Sequence, residues 1–495
     1  MVEEQMVTQD EQKHPKGLYV LFITEMWERF SYYAMRGIFV LFLVKVLLFQ
    51  DAKASQLYGV FTGFVYLMPI LGGYIADRYW GQRKAIVIGG ILMALGQFAL
   101  AFAAFISQTV PNYGELFMYL ALGTLILGGG FFKPNISTIV GSLYSKNDPR
   151  KDAGFTIFYM GINLGAFICN FIAGTLGEKV GFHWGFLTAG IGMVISLVVF
   201  FMYKKHLGDV GMTPTHPAPD TPAEKKKLMY LIGGGVAVLY LILISWFFGF
   251  GEIMIKGLKI AATVGCIAIF YSVIKSLKEV PAKNKILVIA VLCLVKLSFI
   301  VFFEQAGSSL TLFTDRNTDR MLFGFLIPTS WFQSANPFFI VLLAPLFSKI
   351  WMWLSRIKKN PRTPHKYAYG MISLAVSFVF LVVAAKLIGT TGIKISMFWI
   401  ISCYLFATIG ELFISPIGLS MITKLSPDKF VGLFMGVWFG SISMGSFLAG
   451  SFATLYKEGT DLSSFFMIPV MTSLGVAIIL FIFTPKIKKW LGEVH

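Results

Sequence analysis

Charged residues are scarce in this chain. Asp, Glu, Lys and Arg make up 14% of its 495 residues, against roughly 25% in ordinary soluble domains, and a shortage of that size excludes a water-solvated globule. Acids are the scarcer sign, 25 Asp and Glu against 42 Lys and Arg, for a formal net charge of +17. Cysteine is almost missing. Cys169, Cys266, Cys293 and Cys403 fall inside apolar runs with no metal-ligand spacing, so they read as small core residues rather than disulfides or ligands. None of the six histidines sits in the middle of such a run, which leaves carboxylates as the titratable groups there. A nucleophile–base pair, a metal cluster and a nucleotide motif are also lacking, so neither an enzyme nor a bound cofactor is expected. The polar first 17 residues and the charges inside the first apolar run argue against a cleaved leader.

What the chain has is hydrocarbon. Hydrophobic residues make up 56% of it and the mean hydropathy is +0.73. A bilayer span needs roughly 20 predominantly apolar residues, and about fourteen such runs recur here, near 18–48, 55–76, 84–108, 115–143, 153–178, 184–203, 228–250, 253–275, 285–313, 330–355, 367–388, 396–423, 430–455 and 463–485. They are too long and too continuous for barrel strands and must satisfy their backbone internally, so they are read as helices of an all-α polytopic membrane protein. An even number of spans puts both termini on one side. The basic residues gather on that side, as at Arg78, Arg83 and Lys84, at Lys146, Arg150 and Lys151, at Lys225 to Lys227, and at Arg356, Lys358, Lys359 and Arg362. This positive-inside pattern predicts cytoplasmic termini in a plasma or bacterial inner membrane. The basic balance then meets anionic lipid headgroups, and nucleic acid is not an expected partner.

The proline-rich stretch 206–227, with Pro214, Pro217, Pro219 and Pro222, reads as a linker. The expected organisation is a tail at 1–17, a six-helix bundle at 18–205, the linker, an inserted helix pair at 228–277, a second six-helix bundle at 278–488 and a tail at 489–495. Six, two and six helices fit a two-half transporter whose binding site lies at the midplane between the halves. Glu252 and Lys256, beside the tight turn of the inserted pair, read as a solvated loop.

Each ionised side chain at a helix centre costs about 2.5–3.5 kcal/mol on insertion scales, so buried charges ask for a reason. The first span carries Glu25, Glu28, Arg29 and Arg36, which share one face with Tyr32 and Tyr33. A packing seam neutralised by the Glu25–Arg29 spacing is one reading. The other spans supply complements. Lys133 follows Gly128, Gly129 and Gly130 and precedes Pro134 in the fourth; Glu304 and Gln305 lie in the ninth; Glu411 and Ser415 lie in the twelfth. Either glutamate alone also fits a structural partner for a base. Together they describe a cavity with cations from the first half and acids from the second. Such a cavity suits a compact zwitterion, with Arg36 and Lys133 on its carboxylate, Glu411 on its ammonium, and tyrosines and Trp438 as walls. Lys296, also in the ninth span, is expected to snorkel or pair locally.

Glu25-x-x-Glu28-Arg29-Phe30-x-Tyr32-Tyr33 resembles the first-helix signature of the proton-coupled oligopeptide transporters, the POT or PTR branch of the major facilitator superfamily. Phe158 to Gly165 is similar to the family's second signature, and Gly73-x-x-x-Asp77-Arg78 with Gly81 and Arg83 to the superfamily loop between helices two and three. Lys133-Pro134-Asn135, Phe303-Glu304-Gln305, Trp331 to Pro337 and Glu411 to Ser420 extend the likeness over the whole chain. The inserted pair resembles that of bacterial members. The resemblance implies a major facilitator fold and import of di- and tripeptides in symport with protons by alternating access. It implies proton coupling at Glu25, Glu28, Arg29 and Glu304. It implies peptide binding at Tyr32, Tyr33, Arg36, Tyr66, Lys133, Asn163, Asn336, Glu411, Ser415 and Trp438. The chain departs from some members at Ile300 and Phe303. A transporter or exporter of other small solutes or drugs in the same fold is the alternative.

Overall fold

A computed structural model describes residues 13–145, 148–216, 221–457, 459 and 461–491. Residues 1–12 and 492–495 of the expected tails, Lys146, and Pro217 and Pro219 of the linker lie outside these residues. Among the described residues, thirteen helices are long and apolar enough to cross a membrane. They are α2 (Asp51–Trp80), α3 (Gln82–Ile106), α4 (Pro111–Ser142), α5 (Lys151–Lys179), α6 (Phe182–Leu207), α7 (Pro222–Phe247), α8 (Gly251–Ser276), α9 (Val280–Asn317), α10 (Thr329–Arg356), α11 (Thr363–Thr391), α12 (Met397–Leu425), α13 (Val431–Ala453) and α14 (Leu462–Leu491). The first, α1 (Lys16–Lys45), is equally long but carries too many charges to count as apolar. Its charges are buried by the protein, since Glu25, Glu28, Arg29 and Arg36 are all less than a tenth exposed.

The helices form the major facilitator architecture, α1–α6 and α9–α14 as two bundles with α7 and α8 as an inserted hairpin. Small residues set the closest approach between the bundles. A side chain on Gly59 of α2 would strike Gly450 of α13, and one on Gly63 would strike Phe447. Ser443 Oγ accordingly donates to the Gly63 carbonyl at 2.8 Å, the close polar packing that replaces a hydrophobic driving force in lipid.

The linker is only partly a tether. After α6 the chain folds back on the turn between α2 and α3. There Gly81 takes φ 75°, which favours glycine. Arg83 Nε donates to the Val210 carbonyl at 2.6 Å, Gln82 bridges Asp77 and Thr215, and His216 N donates to the Asp77 carbonyl at 2.9 Å. On the same side, Asp148 accepts from the side chain and backbone N–H of Arg150. Those bonds hold its carboxyl down at about 2. Arg150 also donates to the Lys13 carbonyl at 2.7 Å.

At the opposite, distal end the sequence reading missed a small β element. Thr318–Asp319 pairs in parallel with Ile395–Ser396, and Met321–Leu322 pairs antiparallel with Phe325–Leu326. The turn of that hairpin is Phe323–Gly324, both with positive φ, and its short length made it look like plain loop.

Candidate functional site

The halves are latched at the distal end. Lys45 of α1 lies 2.7 Å from Asp315 of α9. Arg316 holds Asp51 of α2 with two nitrogens, at 2.5 and 2.8 Å, the paired geometry that suits guanidinium and carboxylate. Glu178 of α5 accepts from the Thr329 N–H, the Ser330 N–H and the Ser330 hydroxyl of α10, all at 2.7–2.8 Å. Asn170 donates to Ser334 at 3.1 Å, and Trp331 Nε1 donates to Thr175 at 2.9 Å. Glu178 escaped the sequence reading because it sits at a helix end, where an acid calls for no explanation.

Glu178→Ala removes a charged acceptor of three bonds, each worth about 1.5–3 kcal/mol when charge-assisted. It is expected to move the population from distal-closed toward distal-open by tenfold or more. Spin labels at Tyr113 and Ile393, exposed at the distal ends of opposite halves, would report this as a longer distance. An unchanged distribution would show that the remaining contacts, the Lys45 and Asp51 pairs among them, hold the end shut without Glu178.

At mid-membrane a second junction joins the halves. Arg36 Nη2 donates to Glu304 Oε2 at 2.8 Å, Arg36 Nε donates to the Tyr58 hydroxyl at 2.6 Å, and that hydroxyl donates to the same Glu304 oxygen at 3.0 Å. All three side chains are buried. The local backbone explains how α9 presents its acid: the helix tightens into a 3-10 turn over Glu304–Gly307, and Gly307 leaves the space that the Tyr58 hydroxyl fills. Tyr58 was not among the expected residues, and nothing in its own segment marks it.

Below this junction lies a cavity of about 390 Å³ lined from both halves, within the usual range for small-molecule sites. Tyr33, Arg36, Tyr66, Asn163, Asn336, Glu411, Ser415 and Trp438 line it, as does Glu304. Asn336 Nδ2 donates to Glu411 Oε2 and to Thr408 Oγ1, each at 3.0 Å, which aims the carboxylate. Asn163 Nδ2 donates to the Tyr159 carbonyl at 2.9 Å, and Tyr159 joins the lining. Ile300 and Phe303, the two departures, also face the cavity.

Two expected pocket residues lie elsewhere. Tyr32 and Lys133 line a much smaller adjoining space with Glu28, Arg29 and Gln97. Lys133 Nζ sits 4.4 Å from the centre of the Tyr66 ring, which lines the main cavity. Within the smaller group Arg29 Nε lies 2.7 Å from Glu25 Oε1 and 2.7 Å from Glu28 Oε2. The i, i+4 pair expected from the spacing is present, with a second acid on the same nitrogen.

Lys296 is placed differently from the expectation. It neither snorkels nor reaches the membrane surface. It is buried, lines the main cavity, and its Nζ donates to Ser415 Oγ at 2.8 Å beside Trp438. The cavity therefore contains a cation from the second half as well as the acid there, and not cations from one half alone.

A family model described as POT family matches residues 83–474. The chain belongs to the POT family. It is 36% identical over 451 residues to the peptide transporter YePEPT of Yersinia enterocolitica, covering 88% of this chain and 87% of that protein. It is 35% identical over 501 residues to a di-/tripeptide transporter of Lactococcus lactis subsp. cremoris, with 97% of each covered. A crystal structure of a peptide transporter POT in complex with sulfate superposes with a TM-score of 0.87 at 34% identity over 96% of both chains. In this POT-family fold the two junctions and the cavity all lie on the seam between the bundles, where alternating access requires contacts that break and re-form.

Proposed function

We propose that this POT-family chain is a symporter that carries di- and tripeptides together with protons across the plasma membrane, with both termini in the cytoplasm. The observation that carries the reading is the Arg36–Tyr58–Glu304 junction directly bordering a two-sided cavity that holds Glu411 and Lys296. A proton is the coupling ion and no cofactor is invoked. With both termini facing the cytoplasm, the latched distal end faces outward, and the chain is in an inward-facing state. Protonation of Glu304 removes the anion that fixes Arg36 and loosens the junction. The driving force suffices, at about 2.3 kcal/mol per charge per 100 mV plus about 1.4 kcal/mol per pH unit. The peptide ammonium goes to Glu411, held by Asn336, and its carboxylate to the cationic groups Arg36 and Lys133. Relatives named as peptide and di-/tripeptide transporters support the substrate class.

Uptake of labelled dialanine into proteoliposomes is the test. Unlabelled di- and tripeptides with free ends are expected to compete, whereas dialanine acetylated and amidated at its ends is expected to lose at least tenfold in competition, because each blocked end forfeits a charge-assisted bond of about 1.5–3 kcal/mol. A protein that ignores free peptides and accumulates lipophilic cations would instead be a drug exporter in the same fold.

A further inference from the structure

A second cavity, of about 240 Å³, lies away from the seam between the inserted hairpin and the bundle. Gln56 of α2, Trp246 of α7, Glu252, Lys256 and Lys259 of α8, and Ser451 of α13 all border it. The helix spacing of Glu252, Lys256 and Lys259 puts the three charges on one face of α8. Glu252 and Lys256, expected in a solvated loop, lie in the first turns of the helix; both are exposed and border the cavity. Lys259 Nζ donates to Ser451 Oγ at 2.5 Å, two residues from the end of α13 at Ala453, so its charge is held at the level of the distal membrane boundary. Neither lysine has a carboxylate within 4 Å among the described residues. Trp246 is 94% buried, and its Nε1–H has no partner among the described residues. Gln56 Oε1 is likewise buried and unpartnered.

A lysine at the membrane boundary whose hydrogen bond goes to a neutral serine leaves its charge facing the anionic headgroup layer. From the end of α8 inward the order is one acid, then two bases, which matches a headgroup that carries an ammonium outermost and a phosphate beneath. Beyond the lysines, Ile260, Val264 and Ile267 of α8 are each at least 60% exposed, an apolar surface for acyl chains. The geometry points to a binding site for an aminophospholipid of the outer leaflet, phosphatidylethanolamine in type, with its phosphate on Lys256 and Lys259 and its ammonium at Glu252. The leaflet, though not the headgroup chemistry, rests on the orientation proposed above. The inserted hairpin would then hold a lipid as a wedge against α2 and α13, the helices that slide past each other when the halves rock.

Native mass spectrometry of the purified full-length protein tests this. After delipidation, wild type titrated with phosphatidylethanolamine is expected to retain one tightly bound lipid that millimolar inorganic phosphate does not displace. The double variant Lys256→Gln, Lys259→Gln should retain at least tenfold less, and Lys259→Arg should retain it as wild type does. Glu252→Gln, an exposed position, should erase the preference over phosphatidylcholine, whose quaternary ammonium cannot donate to a carboxylate. Dialanine binding, measured on the same samples, is expected to persist in every variant, so loss of the lipid and failure of the peptide reading are separable. Equal retention by the double variant overturns the site. Displacement by inorganic phosphate overturns the lipid in favour of a free-phosphate site. If the double variant does not fold, an unchanged headgroup preference in Glu252→Gln overturns the assignment instead.

Discussion

Glu304→Gln is expected to abolish peptide accumulation driven by an inward proton gradient while leaving peptide binding and exchange between vesicles measurable. The amide keeps the size of the carboxyl and still offers an oxygen to Arg36 and the Tyr58 hydroxyl, which hold Glu304 Oε2 at 2.8 and 3.0 Å. The charge is what disappears. Arg36 keeps its charge, so only the Tyr58 bond becomes neutral, falling from about 1.5–3 kcal/mol to about 0.5–1.5 kcal/mol. Losing that difference weakens the junction by a factor of roughly ten, since 1.4 kcal/mol is a factor of ten in an equilibrium. The shift is modest for the cavity and decisive for the coupling proposed at Glu304, because an amide cannot take the place of a carboxylate that accepts a proton. Gradient-driven uptake should fall to the level of protein-free liposomes, while counterflow of dialanine at equal pH on both sides persists. Full gradient-driven uptake by the variant would make Glu304 structural and would place the coupling on Glu25 and Glu28 with Arg29, where both carboxylates already share one guanidinium nitrogen at 2.7 Å.

The fold was legible because lipid imposes long unbroken apolar runs, and each of those runs became a helix. Even α1, whose charges disqualify it by composition, was legible, since its charged residues share one face. The site was legible to the extent that an ionised group in the membrane announces itself: Glu304, Glu411 and Arg36 all line one cavity. What sequence could not supply was partnership. That Arg36 meets Glu304 across the halves, and that Tyr58 completes the pair, depends on packing between segments more than two hundred residues apart. Lys296 shows the same gap from the other side. A lysine stem is long enough to reach either an interface or an interior, and only the neighbouring Ser415 and Trp438 decide which. Lys133, expected in the main cavity, is half-buried and lines the smaller space instead, with its Nζ 4.4 Å from the centre of the Tyr66 ring.

Glu411→Gln should behave in the opposite way to Glu304→Gln, losing affinity before coupling. Its carboxylate is aimed by Asn336 Nδ2 at 3.0 Å, and Asn336 is itself fixed by Thr408 at 3.0 Å, so an incoming ammonium meets an oriented acceptor. Replacing that acceptor with an amide removes a charge-assisted bond worth about 1.5–3 kcal/mol, or roughly tenfold to 150-fold in Kd. An amide also presents a donor of its own, and Asn336 offers another, so the ammonium faces two N–H groups where it had one oxygen anion. Lys296 sharpens the effect. It occupies the same cavity, bonded to the neutral Ser415, and without Glu411 its charge repels the peptide ammonium uncompensated. The loss must follow the amino end. Dialanine and trialanine should weaken to the same extent, whereas N-acetyl-dialanine, already without the ammonium, should bind the variant about as well as it binds the wild type. Isothermal titration of the purified proteins at one pH separates these cases. Equal weakening of the acetylated and free peptides would mean that Glu411 shapes the cavity without meeting the ammonium, and the orientation of the peptide would then have to be reversed.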